Sequence, residues 1–280
     1  MKKTKRWIKK IISILRTPEI SVLPGQISFF LMLSLIPIIS LIVYFASLFA
    51  FNIMDIIDLF ENFIPKELLE NLSDFLSETH FTVGMGISMI VAFFLASNGS
   101  YSMIVASNFL YKEGNSSYLT KRIKAVIMTI LLVFLVLFIL LVVGFGNSIM
   151  NFLVHLGVIG RFKELVYLGF YLLKWPFTIL TIFFTVKILY TMAPDVNISS
   201  KQVTKGAIFT TISWTVIANI YSFYVSNFSS YDAIYGNLAT VVILMMVLYI
   251  FSYLFVIGIA MNAEEYERYK KEKTGENKTG

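Results

Sequence analysis

Six long apolar stretches alternate with short polar segments along this chain, at residues 22–51, 84–110, 125–146, 165–190, 206–226 and 237–261. Each reaches the roughly 20 residues that a helix needs to cross a hydrocarbon core about 30 Å thick. In lipid, backbone N–H and C=O groups have no water to bond, so long apolar runs become helices. The alternation with a period of two that marks a membrane barrel is absent. The pattern predicts an all-α integral membrane protein, with six transmembrane helices in one bundle and amphipathic helices in an outer loop. The bulk numbers agree, with 57% hydrophobic residues and a mean hydropathy of +0.77.

Between the spans, the positions of the cations set the expected topology. Eighteen of the 23 lysines and arginines fall in the N-terminal segment, 111–124, 191–205 and the C-terminal tail. Three (Lys66, Arg161 and Lys163) fall in the alternate segments, and Lys174 and Lys187 lie near or within a span. This asymmetry places both termini in the cytoplasm. The basic start, Met1–Lys10, is followed by no small-residue cleavage site, so the first apolar stretch reads as a retained span and not as a signal peptide. The division expected is a basic amphipathic segment at 1–21, a membrane domain at 22–263 with its outer loop at 52–83, and a charged tail at 264–280.

Residues 5–16 carry Trp7, Ile8, Ile11, Ile12 and Leu15 on one helical face, with Lys9, Lys10, Ser13 and Arg16 on the other. Such a helix suits the inner leaflet and its anionic headgroups. Membrane lipids are therefore the expected partners, and nucleic acid is not. The outer loop reads as two amphipathic helices hinged at Pro65, with a net charge of −6. Pro37 falls mid-span, where it is expected to kink the first helix. The second span ends in Ser97-Asn98-Gly99-Ser100-Tyr101-Ser102, whose small and hydroxylated residues suit close helix packing or a polar path. Lys174-Trp175-Pro176 interrupts the fourth span, and the Trp–Lys pairing favours an interfacial position for Lys174.

Candidate chemistry is sparse. The chain has no cysteine, and its two histidines, His80 and His155, fall in separate outer segments. HExxH, GxSxG and P-loop motifs are absent. A nuclease should present a basic groove with catalytic acids, whereas topology accounts for the cations here. No catalytic residue, metal ligand or cofactor is assigned. Ion-coupled pumps usually need carboxylates within the spans, and these are essentially missing. What remains within the spans is amide, hydroxyl and glycine, which either line a groove or fasten helices.

Several motifs resemble one family. They are Gln26-Ile-Ser-Phe-Phe-Leu-Met-Leu-Ser-Leu-Ile-Pro37, Tyr190-Thr-Met-Ala-Pro194, Lys205-Gly206-Ala207, Phe223-Tyr-Val-Ser-Asn-Phe-Ser-Ser-Tyr231 with Tyr235-Gly236-Asn237-Leu238, and Gly258 with Asn262-Ala263-Glu264. Together they resemble the YihY/BrkB family of bacterial inner-membrane proteins, over about residues 10 to 268. The resemblance implies a multi-pass plasma-membrane protein. Some members carry the name ribonuclease BN, which nothing in these residues supports. Others are linked by name to serum resistance or envelope traits. One departure stands out: Asn237 and Met245-Met246 occupy positions where many relatives have small residues and a Trp-rich span.

The function expected is transport or export of a lipid or other amphipathic envelope component, without enzymatic activity. A structural scaffold in envelope biogenesis is the alternative. The residues expected to line the pathway are Gln26, Pro37, Asn98, Asn219, Tyr235, Gly236, Asn237 and Asn262. The amides would offer hydrogen bonds without fixed charge, while Pro37 and Gly236 would permit bending.

Overall fold

The computed structural model describes residues 22–35, 83–139, 163–227 and 237–274, with isolated positions at 142, 146 and 150. Six helices account for nearly all of them: α1 (Val22–Leu35), α2 (Val83–Tyr111), α3 (Tyr118–Ile139), α4 (Lys163–Met192), α5 (Thr204–Asn227) and α6 (Asn237–Thr274). Four of them, α3 to α6, are long and apolar enough to cross a membrane. At 1.5 Å per residue, the 22 residues of α3 reach about 33 Å. The N-terminal basic helix, the outer loop, Pro37, Tyr235 and Gly236 lie outside the described residues.

Helices α2 to α6 extend beyond the apolar runs that foretold them. Helix α3 starts seven residues before its apolar run, so Lys121, Arg122 and Lys124 stand in its first two turns. Ser117 caps that start by accepting the Thr120 N–H, as a serine at an N-cap does. Helix α4 continues through Pro176, and α6 runs past Glu264 to Thr274 without a break. Helix α2 ends with Lys112 in the left-handed region at φ 55°, and the Glu113 N–H returns to the Asn108 carbonyl. This is the Schellman closure usually given to glycine.

Neighbour follows neighbour around a closed circuit: α2 packs on α3, α3 on α4, α4 on α5, α5 on α6, and α6 on α2. Helix α1 docks where Gly99 of α2 leaves room for Leu31. The shared core draws Ile27, Ile104, Met128, Leu189, Tyr190, Ala207, Phe255 and Ile259 from all six helices. These residues lie toward one end of the bundle, where Lys112, Lys121, Lys124, Lys205 and Lys270 also gather, here termed the basic end. Outward-facing Ile, Leu, Val and Phe side chains are exposed along every helix, as expected when the solvent is lipid.

Candidate functional site: an apolar cleft above a polar basic end

Three polar assemblies fasten the basic end. The first is centred on Asp195, in the turn after α4. Its carboxylate accepts from Asn108 Nδ2 at 2.7 Å, Ser116 Oγ at 2.5 Å and Lys124 Nζ at 2.8 Å, with Lys121 Nζ at 3.9 Å. Asn108 Oδ1 in turn accepts the Asp195 N–H at 2.7 Å. The aspartate side chain is 4% exposed. Burial by itself raises the Asp195 pKa, but hydrogen bonds from Lys124 and Ser116 and the charges of Lys124 and Lys121 outweigh it and hold the carboxyl below the usual carboxylate range.

The second assembly joins α4, α5 and α6. Tyr190, wholly buried, donates to the Phe255 carbonyl at 2.9 Å, and its oxygen meets Thr210 Oγ1 at 2.6 Å. Because the tyrosine proton goes to the carbonyl, Thr210 supplies the second hydrogen. Trp214 Nε1 donates to the Phe251 carbonyl at 3.0 Å, and Asn262 Oδ1 accepts the Gly206 N–H at 2.9 Å. Two glycines permit this closeness. A side chain at Gly258 would collide with the Tyr190 and Thr210 hydroxyls, and one at Gly206 with the Gly258 carbonyl and Asn262.

The third assembly is an arginine that the charge count had assigned to a loop. Arg122 is 9% exposed. Its Nη1 donates to Asn98 Oδ1 at 2.9 Å and its Nη2 to the Phe94 carbonyl at 2.8 Å, while the guanidinium lies 3.5 Å above the Phe94 ring. Planar Arg suits such a shared hydrogen-bonding and stacking site. The sequence signal was Ser117 three residues before Thr120, an N-cap that would have moved the helix start ahead of Arg122.

Above these fasteners, a cleft of about 620 Å³ opens between α4 and α5, lined by Trp175, Pro176, Ile179, Leu180 and Phe183 on one side and Ile208, Thr211 and Ile212 on the other. Thr211 Oγ1 is the buried polar atom of this lining and has no hydrogen-bond partner among the described residues. Lys174 adjoins the far end, its ammonium 5.7 Å from the Phe170 ring and 6.0 Å from Trp175.

Among the described residues expected to line a pathway, Asn98, Asn219 and Asn262 have separate partners. Asn98 holds Arg122, and Asn262 holds the α5–α6 contact. Asn219 is exposed and donates to the Thr215 carbonyl of its own helix at 2.7 Å; Gln26 is exposed on α1. Asn237 opens α6, and its side chain is not among those described. Among the described residues, no group of three His, Cys, Asp or Glu is placed to hold a metal ion.

Long, outwardly apolar helices joined inside the bundle by polar contacts define a multi-pass helical membrane protein. More particularly, the chain belongs to the virulence factor BrkB family, whose model matches residues 11–280. It is 27% identical over 271 residues to the putative ribonuclease-like protein YfkH of Bacillus subtilis (strain 168), covering 94% of this chain and 96% of that one. It is 23% identical over 264 residues to the UPF0761 membrane protein PSHAa0171 of Pseudoalteromonas translucida (strain TAC 125), covering 92% and 85%. A UPF0761 membrane protein of Aeromonas salmonicida (strain A449) is 25% identical over 266 residues, covering 89% and 86%. No solved structure matches the chain.

Proposed function

We propose that this protein is a plasma-membrane protein with six transmembrane spans that moves a lipid or other amphipathic envelope component, with the basic end in the cytoplasm. The observation that carries the reading is the α4–α5 cleft. Its volume lies in the range of small-ligand sites, and its walls are apolar along both helices. In a bilayer, acyl chains enter such a cleft without hydrophobic gain, because lipid tails are as apolar as its walls. Selection therefore rests on polar groups at the cleft's end, where Lys174 adjoins Trp175.

Orientation follows the charge distribution. Lys112, Lys121, Lys124, Lys201, Lys205, Arg268, Lys270 and Lys271 cluster beyond or just inside one end of the helices, and cytoplasmic segments carry such an excess. RNA hydrolysis, which the name of the Bacillus relative brings to mind, is not part of this reading. Lys112, Arg122, Lys124, Lys205 and Lys270 are engaged with Glu267, Asn98, Asp195, Glu265 and Glu113 in turn.

The test is photo-crosslinking in nanodiscs with a phospholipid carrying a diazirine in its acyl chain, followed by peptide mapping, beside flux of a labelled lipid in proteoliposomes. Crosslinks concentrated on 175–183 and 208–212, lost together with flux in Ile212→Trp, are expected. Crosslinks spread evenly over the exposed faces of all helices, with flux unchanged in Ile212→Trp, would sink the proposal.

A further inference from the structure

Beyond the cleft, the basic end holds a second concavity of about 570 Å³, between the α4–α5 connection and the extension of α6, lined by Asn197, Ser199, Lys201, Gln202, Glu265, Tyr266, Tyr269 and Lys270. We propose that it is a binding site for a phosphate-bearing group.

Charge comes first. Glu265, the acid of the lining, is already matched by Lys205 Nζ at 2.7 Å and Arg268 Nη1 at 3.9 Å. Lys270 reaches Glu113 at 3.8 Å. Lys201 makes no ion pair among the described residues, so the lining retains a surplus cation. An anion that enters meets that surplus, with the start of α5 immediately beyond it, where the helix dipole also favours negative charge.

Hydrogen-bonding groups come next. Asn197, Ser199 and Tyr269, which carry an amide and two hydroxyls, line one concavity with Lys201. A phosphate offers several strong acceptor oxygens to such a set, whereas a cation would find Lys201 and Lys270 opposed to it.

The connection is also held in place before any ligand arrives. The Asp195 assembly pins it two residues before Asn197, and Gln202 Oε1 accepts the Ser199 N–H at 3.0 Å. From the other side, Tyr266 is fixed by its ring contact with Tyr111, 5.7 Å between centroids. Fixed donors lose less entropy on binding.

Topology alone also accounts for lysines at a cytoplasmic face, so the experiment compares lysines. The full-length protein is purified in a non-ionic detergent, and its thermal unfolding is followed during titration with inorganic pyrophosphate. It is followed separately in nanodiscs of phosphatidylcholine, with and without phosphatidylglycerol. The variants are Lys201→Gln and Tyr269→Ala within the lining, and Lys112→Gln at the same end but outside it. The expected result is stabilisation by one of the probes, with apparent affinity weakened at least tenfold in Lys201→Gln, weakened in Tyr269→Ala and unchanged in Lys112→Gln. Pyrophosphate acting alone assigns the site to a soluble phosphate compound; an effect confined to phosphatidylglycerol assigns it to a lipid headgroup. Failure of both probes, or equal loss in Lys112→Gln and Lys201→Gln, overturns the site. Acyl-chain crosslinking in the α4–α5 cleft reads a different property, so either proposal can fail without the other.

Discussion

Replacing Gly258 with alanine adds one methyl group at the point where three helices meet. That methyl would overlap the Tyr190 hydroxyl and Thr210 Oγ1, and would stand 2.9 Å from the tyrosine ring carbon that bears the hydroxyl. The tyrosine has to retreat, breaking its bonds to the Phe255 carbonyl and Thr210. Overpacking of a filled core costs about 1–3 kcal/mol. Interhelical hydrogen bonds in a membrane protein contribute about 0.6 kcal/mol each on average. Alanine recovers about 1 kcal/mol of helix propensity over glycine. The balance is a destabilisation of about 1–3 kcal/mol.

The decisive measurement is a double-mutant cycle with Tyr190→Phe. Phenylalanine removes the oxygen that the new methyl would strike, leaving the ring carbon and the Thr210 hydroxyl, which can rotate away. Unfolding by sodium dodecyl sulfate in mixed micelles is followed by tryptophan fluorescence, because Trp214 stacks on Phe255 with ring centroids 6.1 Å apart. The double variant should be more stable than the sum of the two single changes by about 1 kcal/mol, within the range that residues in contact show. Additive effects, or a Gly258→Ala variant as stable as the parent, would refute the close three-helix contact.

Three further outcomes follow. Asn98→Ala should cost about 1–3 kcal/mol in detergent unfolding because it strips an acceptor from the buried Arg122, whereas Arg122→Met, which removes the charge and its demand together, should cost less; the reverse order would show that the pair is not the fastener. The Asp195 carboxyl is held low when folded, so its contribution is complete above the unfolded value of about 3.9 and fades as pH falls through the folded one. Thermal stability should then be flat from pH 5 to 8 and drop below about pH 4, and Asp195→Asn, less stable at pH 7, should show a shallower drop. Lys112→Gly should raise stability by about 0.5–1 kcal/mol in the same unfolding assay, since glycine accepts φ 55° without penalty and the ion pair it forfeits, to Glu267, is well exposed.

The membrane class and family were legible because lipid imposes one strong constraint, long apolar helices, and because the motifs from Tyr190 to Asn262 are distinctive. Their meaning was not. Tyr190, Gly206, Gly258 and Asn262 lie on three helices, up to 72 positions apart, and only the fold shows that they form one junction. Asn262 looked like a pathway residue because an amide in a span is costly unless bonded; the bond it makes, to the Gly206 N–H, is to a group 56 positions away. Arg122 was missed for the opposite reason. A cation near a span boundary is normally counted with the loop, and the helix start four residues earlier placed it against Asn98.

The same physics separates fastener from path. A polar group that forms its hydrogen bonds within the protein has less left to offer a passing molecule, and this describes Asn98 Oδ1, Tyr190 and Asp195, whereas Asn262 accepts through Oδ1 and keeps a buried Nδ2 without a partner among the described residues. The informative groups are those whose bonding is incomplete where a ligand has room to reach them. Thr211 has the first property, as a buried hydroxyl without a partner among the described residues, beneath the apolar lining of the cleft. Lys201 has both at the basic end, as a cation without an ion pair among them, facing 570 Å³ of space. Neither residue draws the eye in the sequence, since threonine is ordinary within a helix and lysine just before one. They become distinctive only when the bonds of their neighbours are accounted for, and that accounting adds Thr211 and Lys201 to the residues at which substrate contacts are to be sought.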